Sequence, residues 1–388
     1  MATLRSTPRS DGLRMPGEFE PHAGCWMIWP ERPDVWRENA RPAQETFAEV
    51  ATAIARFEPV TVCVSREQWQ SARAKSPETI RLVEMSSDDA WMRDYGPTFV
   101  VNDFCEIRGV HWDFNGYGGP EEGCYWPCDL DQQIAQKVLE LERLDRYKCH
   151  MVLEGGSFHV DGQGTLITTE ECLLNQNRNP GWSKADIEEH LREYLGAEKI
   201  IWLRMGVYGD DDNSGHVDDL CCFVRPGVVV LTWTDDPEDP QYVRSRDAYE
   251  RLSQTCDARG RSLQIHKLRQ PAPLYFTEEE VAGIARSDNA VQRLPGQRLG
   301  ASYVNFYIAN GGIIVPGFGD PRDAEAVATL QSLFPYREVV QLETREILLG
   351  IGNIHCITLQ QPKPQGTSCA EGAARNALET RLAENMKR

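Results

Sequence analysis

Pro59-Val-Thr-Val-Cys-Val64, the stretch Arg66 to Ala74, and Arg81-Leu-Val-Glu-Met85 read in turn as strand, helix and strand. The outer two are apolar runs rich in β-branched residues, and the middle one carries its apolar residues at helical spacing. The plan recurs. Leu166 to Leu203 runs from a strand through the amphipathic stretch Ser183 to Leu195 into Lys199-Ile-Ile-Trp-Leu203, with Ser183 three residues before Asp186 as a helix-start cap. Val228 to Leu268 repeats it with Gln241 to Cys256 as helix and Leu263 to Leu268 as strand; Gly312 to Leu342 does so with Asp323 to Leu333 as helix. Cys105 to Leu153 makes a fifth pass, with Leu130 to Leu141 as helix and a strand ending in Met151-Val-Leu153. Five such units suggest an α/β chain repeated about a common axis, each unit burying its apolar face against its neighbours. A doubly wound open sheet shows the same alternation, but no G-x-G-x-x-G or phosphate loop opens a helix. No Gly/Ser linker divides the chain, so a single domain is the simpler reading.

The 388 residues are 41% hydrophobic and 26% charged, an ordinary globular composition. Lys and Arg total 41 against 59 Asp and Glu, a formal net charge of −18. That balance argues against nucleic acid or an anionic membrane as partner, since phosphates are held by Lys and Arg. It attracts cationic ligands at long range. No apolar run reaches the roughly 18 to 20 residues needed to cross a bilayer. Residues 1–14 are polar and basic, without the apolar core of a signal peptide, and are expected to form a flexible tail or a fragment of a transit sequence. The domain is expected over 15–362, with 363–388 as a C-terminal tail or helix. The twelve cysteines are scattered, apart from Cys221-Cys222 and Cys124 with Cys128, and no pair of C-x-x-C motifs appears. Mostly reduced, buried thiols and a cytoplasmic location are therefore expected.

The loops after the closing strands of the units point to function. Met85 leads into Trp91-Met-Arg-Asp94, and Leu153 into Glu154-Gly-Gly156. After Leu203 an acidic, glycine-rich loop leads to His216-Val-Asp218, and after Leu342 comes Gly350-Ile-Gly-Asn-Ile-His-Cys356. Units arranged about an axis bring those loops together at one end. Each residue alone has a plain structural explanation: a buried Cys, a solvated acidic loop at Gly209 to Gly215, a carboxylate opening a turn. That loop lacks the D-x-D-x-D spacing and closing Glu of a calcium loop. Together the four segments supply one Cys, one His and at least three carboxylates, with no convergent Lys or Arg. A Cys–His pair also serves acyl transfer, but a thiol peptidase needs an oxyanion hole rather than a cage of acids. Acids around a nucleophile imply a cationic substrate, and a planar guanidinium forms paired hydrogen bonds with carboxylates.

At these residues the sequence resembles the agmatine deiminases, in the bacterial-type peptidyl-arginine deiminase family of guanidine-modifying enzymes. The matching blocks are Met15-Pro-Gly-Glu-Phe-Glu-Pro-His22, Cys25-Trp-Met-Ile-Trp-Pro30, Trp91-Met-Arg-Asp94 and Phe114-Asn-Gly-Tyr-Gly-Gly119. Leu153-Glu-Gly-Gly156, Gly215-His-Val-Asp218, Tyr303-Val-Asn-Phe-Tyr307 and Gly352-Asn-Ile-His-Cys356 continue in family order. Thr232-Trp-Thr-Asp-Asp236 resembles the plant-type members especially. The resemblance implies a five-fold pseudosymmetric α/β propeller (pentein) and a chain that self-associates as a homodimer or larger homo-oligomer. It implies agmatine as substrate, putrescine biosynthesis as the setting, and no cofactor or metal. It also implies roles: Cys356 as nucleophile, His216 as acid and base, and Glu154 as the carboxylate orienting His216. Asp94 and Asp218 clamp the guanidinium, Asp212 receives the far ammonium, and Trp91 lines the site. Competing readings are a deiminase of arginine or peptidyl-arginine, and a non-catalytic polyamine-binding homologue. Ile351 stands where the family commonly has glycine, a costly residue if the backbone there needs positive φ. Asp219, Gly116-Tyr117 and Tyr95 also depart from the common pattern.

Overall fold

Strand runs such as Val60–Val64, Val228–Trp233 and Gly312–Gly317 are buried at every position, as expected of central strands covered on both faces. In a computed structural model, which describes residues 1–364, these runs lie in five separate sheets of three or four strands. Each sheet repeats one order: a short strand, an antiparallel neighbour, a helix, and a strand parallel to that neighbour. Thus Cys221–Arg225 pairs antiparallel with Val228–Trp233, the helix Gln241–Ser253 comes next, and Gln264–Arg269 lies parallel to Val228–Trp233. Phe158–Val160, Thr165–Thr169 and Lys199–Leu203 do the same, as do Tyr307–Ile308, Gly312–Gly317 and Glu338–Glu343. Thr98–Val101, Ile107–Asp113 and Arg146–Val152 form the fourth set. The helix Lys184–Leu195 begins with a full capping box between Ser183 and Asp186, ends at Gly196 in the left-handed region, and buries Ile187, Leu191 and Leu195 on one face.

The remaining sheet departs from the sequence reading. Val60–Val64, the helix Trp69–Lys75 and Arg81–Glu84 are only its outer half. The unit equivalent to the others is His22–Ile28, the helix Arg41–Ile54 and Val60–Val64, joined by the antiparallel strand Leu359–Pro362 from the far end of the chain. The N-terminal residues are anchored rather than trailing: Thr3–Leu4 lies parallel to Arg146-Tyr147, Arg14 bridges Val101, and Leu13 is buried. A paired backbone and an apolar anchor outweigh the polar composition that suggested a tail. The expectation for 363–388 falls almost wholly outside the described residues. Ten of the twelve cysteines are free thiols, most of them buried, while Cys105 is disulfide-bonded. Among the described residues no helix is long and apolar enough to cross a membrane.

Candidate active site

Each of the five links between successive sheets delivers a side chain to one buried cluster. The short helix Met92–Tyr95 carries Asp94, and Glu154 precedes the turn Gly155–Ser157. His216 and Asp218 flank Val217 at the next turn. Asn305 stands just before the strand Tyr307–Ile308, and Cys356 just before Leu359–Pro362. Asp94, Glu154, His216, Asp218 and Cys356 are all 4% exposed or less, so the cluster is shielded from bulk water.

Glycines let these groups meet. A Cβ on Gly156 would lie 2.8 Å from His216 Nδ1 and 2.9 Å from both Asp218 Oδ2 and Asp94 Oδ1. Only glycine permits that convergence, which explains Glu154-Gly-Gly156. In the loop that carries Cys356, Gly350 lies against the rings of Trp36 and Trp91, and Gly352 against Trp91. Trp91 therefore backs the loop, its indole N–H donating to Asp89 Oδ2 at 2.8 Å while Trp36 donates to Asp89 Oδ1 at 2.7 Å. Between the two glycines Ile351 adopts φ 65°, the left-handed conformation foreseen as costly.

Cys356 Sγ accepts from Asn305 Nδ2 at 3.2 Å and lies 3.6 Å from Asp218 Oδ2. The Asn305 amide is fixed because its Oδ1 accepts from the His355 backbone at 2.9 Å. Burial pushes the Cys356 thiol well above its ordinary range, and the nearby charges of Asp218, Asp219 and Asp94 add to the shift. Asp94 accepts from the Gly156 N–H at 2.9 Å and the Tyr117 hydroxyl at 2.8 Å. Burial nevertheless raises its pKa to about 6, against the pull of His216, whose Nδ1 is 3.8 Å away. Asp218 is also penalised by burial, but His355 holds it below the usual carboxylate range.

Glu154 meets His216 through proximity rather than a direct bond: a Glu154 oxygen, Cys172 Sγ and a His216 nitrogen lie within 4.8 Å of one another. Its Oε1 accepts from Arg178 Nε at 2.5 Å. Arg178 also donates to the backbone oxygens of Tyr117 and Asn213, so one buried guanidinium ties three loops together. The absence of a convergent cation expected from sequence is corrected here. Arg178 and Arg93 both reach the cluster, because carboxylates this deep need compensating charge. Asp212 is ion-paired with the buried Arg293. Four polar positions stay open: Glu154 Oε2, Asp218 Oδ1 and both ring nitrogens of His216 have no hydrogen-bond partner among the described residues.

Of the seven residues sequence reasoning brought forward, the structure gathers Cys356, His216, Glu154, Asp94 and Asp218 in one cluster, sets Trp91 behind the loop that carries Cys356, and pairs Asp212 with Arg293. Sequence reasoning passed over Asn305, Tyr117, Arg178, Asp89, Glu18 and His355. Asn305 and Tyr117 were visible only as members of matching blocks. Arg178 carries no spacing signal, since it lies 24 residues from the Glu154 it holds.

The sequence profile of the Porphyromonas-type peptidyl-arginine deiminases matches residues 14–362. An agmatine deiminase of Pseudomonas aeruginosa is 58% identical over 367 residues, covering 94% of this chain and 100% of the relative. One from Medicago truncatula is 56% identical over 372 residues, covering 93% and 100%, so bacterial and plant relatives stand almost equally near. The solved agmatine deiminase of Enterococcus faecalis superposes with a TM-score of 0.91 at 48% identity, covering 94% of this chain and 100% of that one. Matched over nearly its whole length by the family profile and by these relatives, the chain belongs to the agmatine deiminases of the Porphyromonas-type peptidyl-arginine deiminase family.

Proposed function

We propose that this chain hydrolyses the guanidinium group of agmatine to N-carbamoylputrescine and ammonia, a step of putrescine biosynthesis, with Cys356 as nucleophile. The observation that carries the reading is the set of buried polar atoms without a hydrogen-bond partner among the described residues: Asp218 Oδ1, on the carboxylate in contact with Cys356, together with Glu154 Oε2 and the His216 ring. A guanidinium supplies N–H donors in a planar fork and a positive charge for the surrounding carboxylates.

Asp94 and Asp218 grip its nitrogens and hold the central carbon near Sγ. The bound cation favours the thiolate over the thiol, against the burial and carboxylates that raise the Cys356 pKa. The thiol proton passes to His216, and the Asn305 amide donates to the sulfur. Sγ bonds to the guanidinium carbon, His216 protonates a terminal nitrogen, and the C–N bond breaks to release ammonia. An amidino group remains on Cys356. Neutral His216 then takes a proton from water, whose oxygen attacks the amidino carbon. Breaking the C–S bond frees the ureido product and returns the thiolate. Glu154, anchored by Arg178, turns its second oxygen toward the charge that His216 gains.

We read the five sheets as blades of a five-fold pseudosymmetric propeller spanning residues 15–362 as one domain. The support is the shared strand order and the delivery of at least one side chain to the cluster by each link. The free thiols support a cytoplasmic location, and homo-oligomer formation rests on the family resemblance. One observation favours a second substrate: Arg293, beside Asp212, offers a guanidinium suited to the carboxylate of arginine.

The test is to incubate the protein with agmatine, arginine and an arginyl peptide, measuring ammonia and ureido product, with Cys356→Ala as control. Agmatine is expected to give the highest kcat/KM, and an amidino adduct is expected on Cys356. No turnover of agmatine, or full activity in the Ala variant, overturns the reading.

A further inference from the structure

Behind Asp218 lies a second buried charge cluster that the chemistry above does not use. His355 Nδ1 is 2.8 Å from Asp218 Oδ2, and its Nε2 is 2.8 Å from Glu18 Oε2. The other Glu18 oxygen accepts from the Ile308 backbone at 2.8 Å. Arg93 Nη2 and His159 Nε2 approach Glu18 at 3.8 and 3.7 Å. Glu18, Arg93, His159, Asp218 and His355 are all buried.

Hydrogen-bond roles fix the charges. Ionised carboxylates only accept, so a ring facing one at each nitrogen must carry a proton on both. His159 is different. Its Nδ1 accepts from the Phe223 backbone at 3.3 Å, which leaves its proton on Nε2 and its ring neutral. Two carboxylates, Glu18 and Asp218, then balance two cations, Arg93 and His355. A neutral His355 would leave a net buried negative charge, which is costly without a partner. The directions of titration agree. Burial and Arg93 push His355 down, yet Glu18 and Asp218 prevail and raise it, while Glu18 is held well below its ordinary range despite its own burial.

We infer that Glu18 and His355 are a positioning pair that holds Asp218 with one oxygen fixed toward His355 and the other turned open to the guanidinium, His355 staying an imidazolium throughout turnover. This rests on Asp218 acting as a guanidinium clamp. Although His355 adjoins Cys356 in sequence, both its nitrogens are engaged, so proton traffic falls to His216, whose nitrogens are open.

The direct test is nitrogen NMR of the intact protein with ring-labelled histidine, there being eight histidines to resolve, with His355→Asn used to assign the signal. His355 is expected to show two protonated nitrogens at pH 7.5, above the midpoint at which an unperturbed ring titrates. A ring that is neutral at pH 7.5 overturns the proposal. In kinetics, Glu18→Gln removes one of the two carboxylates, so His355 loses its proton as pH rises through the neutral range. KM for agmatine is expected to rise about tenfold, a change of one decade in affinity, and kcat/KM to gain a decline on the alkaline side that the parent lacks. A folded Glu18→Gln protein with the parent's KM and pH profile overturns it as well. Asp218→Asn with an unchanged KM would instead remove the clamp reading, leaving the protonation of His355 to be judged on its own.

Discussion

Ile351 sits at φ 65° between two glycines, where a β-branched residue carries roughly 1–2 kcal/mol of strain. Its side chain is 6% exposed and packs with Phe276, Leu299, Leu348 and Leu349. Burial of such a side chain contributes about 1.5–3 kcal/mol, enough to offset the strain. The loop is therefore held in the glycine-like conformation, and Cys356 keeps its contacts with Asn305 and Asp218. Ile351→Gly is expected to lose about 1 kcal/mol in urea denaturation, as the packing lost exceeds the strain relieved, with kcat nearly unchanged. A large gain in kcat would show that the parent loop is displaced. Asp94 is a second residue where function and stability part. Its folded pKa of about 6 exceeds the unfolded value, so ionising it costs stability at pH above about 6, and the cost fades as pH falls through 6 toward 4. Asp94→Asn is expected to be more stable at pH 8 by about 2 kcal/mol, an advantage that shrinks in acid, while kcat/KM falls at least about 100-fold. A variant less stable than the parent at pH 8 would refute the sign. At this scale the sequence revealed which residue types were present and, in Ile351, where the backbone would be strained. It hid the protonation states, because those depend on burial and on neighbours more than a hundred residues away.

Strands and helices in four of the five units were legible within a few residues, because apolar spacing along a segment records which of its faces is covered. In the remaining unit the strand, helix and strand read from Val60 to Met85 are present, but they are only the outer half of a sheet whose inner half, with the helix Arg41–Ile54, was missed. The helix Arg41–Ile54 comes after a stretch rich in Pro and Trp and was not read from the sequence at all. The link elements depend on tertiary support of a kind that spacing does not record. Asp89, buried beneath the nucleophile loop, accepts both indole N–H groups of the Trp36–Trp91 pair, whose rings lie 5.1 Å apart under Gly350 and Gly352. Asp89→Leu leaves two buried donors unpaired, at about 1–3 kcal/mol each. It is expected to lower the melting temperature and to reduce kcat about tenfold through a misplaced Cys356. Parent-like kcat in a folded Asp89→Leu protein would show that the indoles only fill space.

The last described strand joins the far end of the described chain to its beginning. Leu359–Pro362 completes the sheet begun by His22–Ile28, with Gln360 bonded to Arg93 and Gln361 to the Trp26 indole. A chain ending at Thr358 is expected to lose its cooperative urea transition, because the strand beside Trp26 and the support of Arg93 disappear together. Retention of a sharp transition would mean that the first sheet is stable without closure. The sequence by itself determined the alternation of strand and helix, the acidic balance and which candidate Cys, His and carboxylate residues follow the strands, since periodicity and composition are written locally. Only the tertiary structure decided that a fifth link adds Asn305, that Arg178 and Arg93 balance the buried acids, and that His216 is open while His355 is engaged at both nitrogens. Distances between groups far apart in the chain, and the charges they carry once water is excluded, are set by packing and burial rather than by spacing along the backbone.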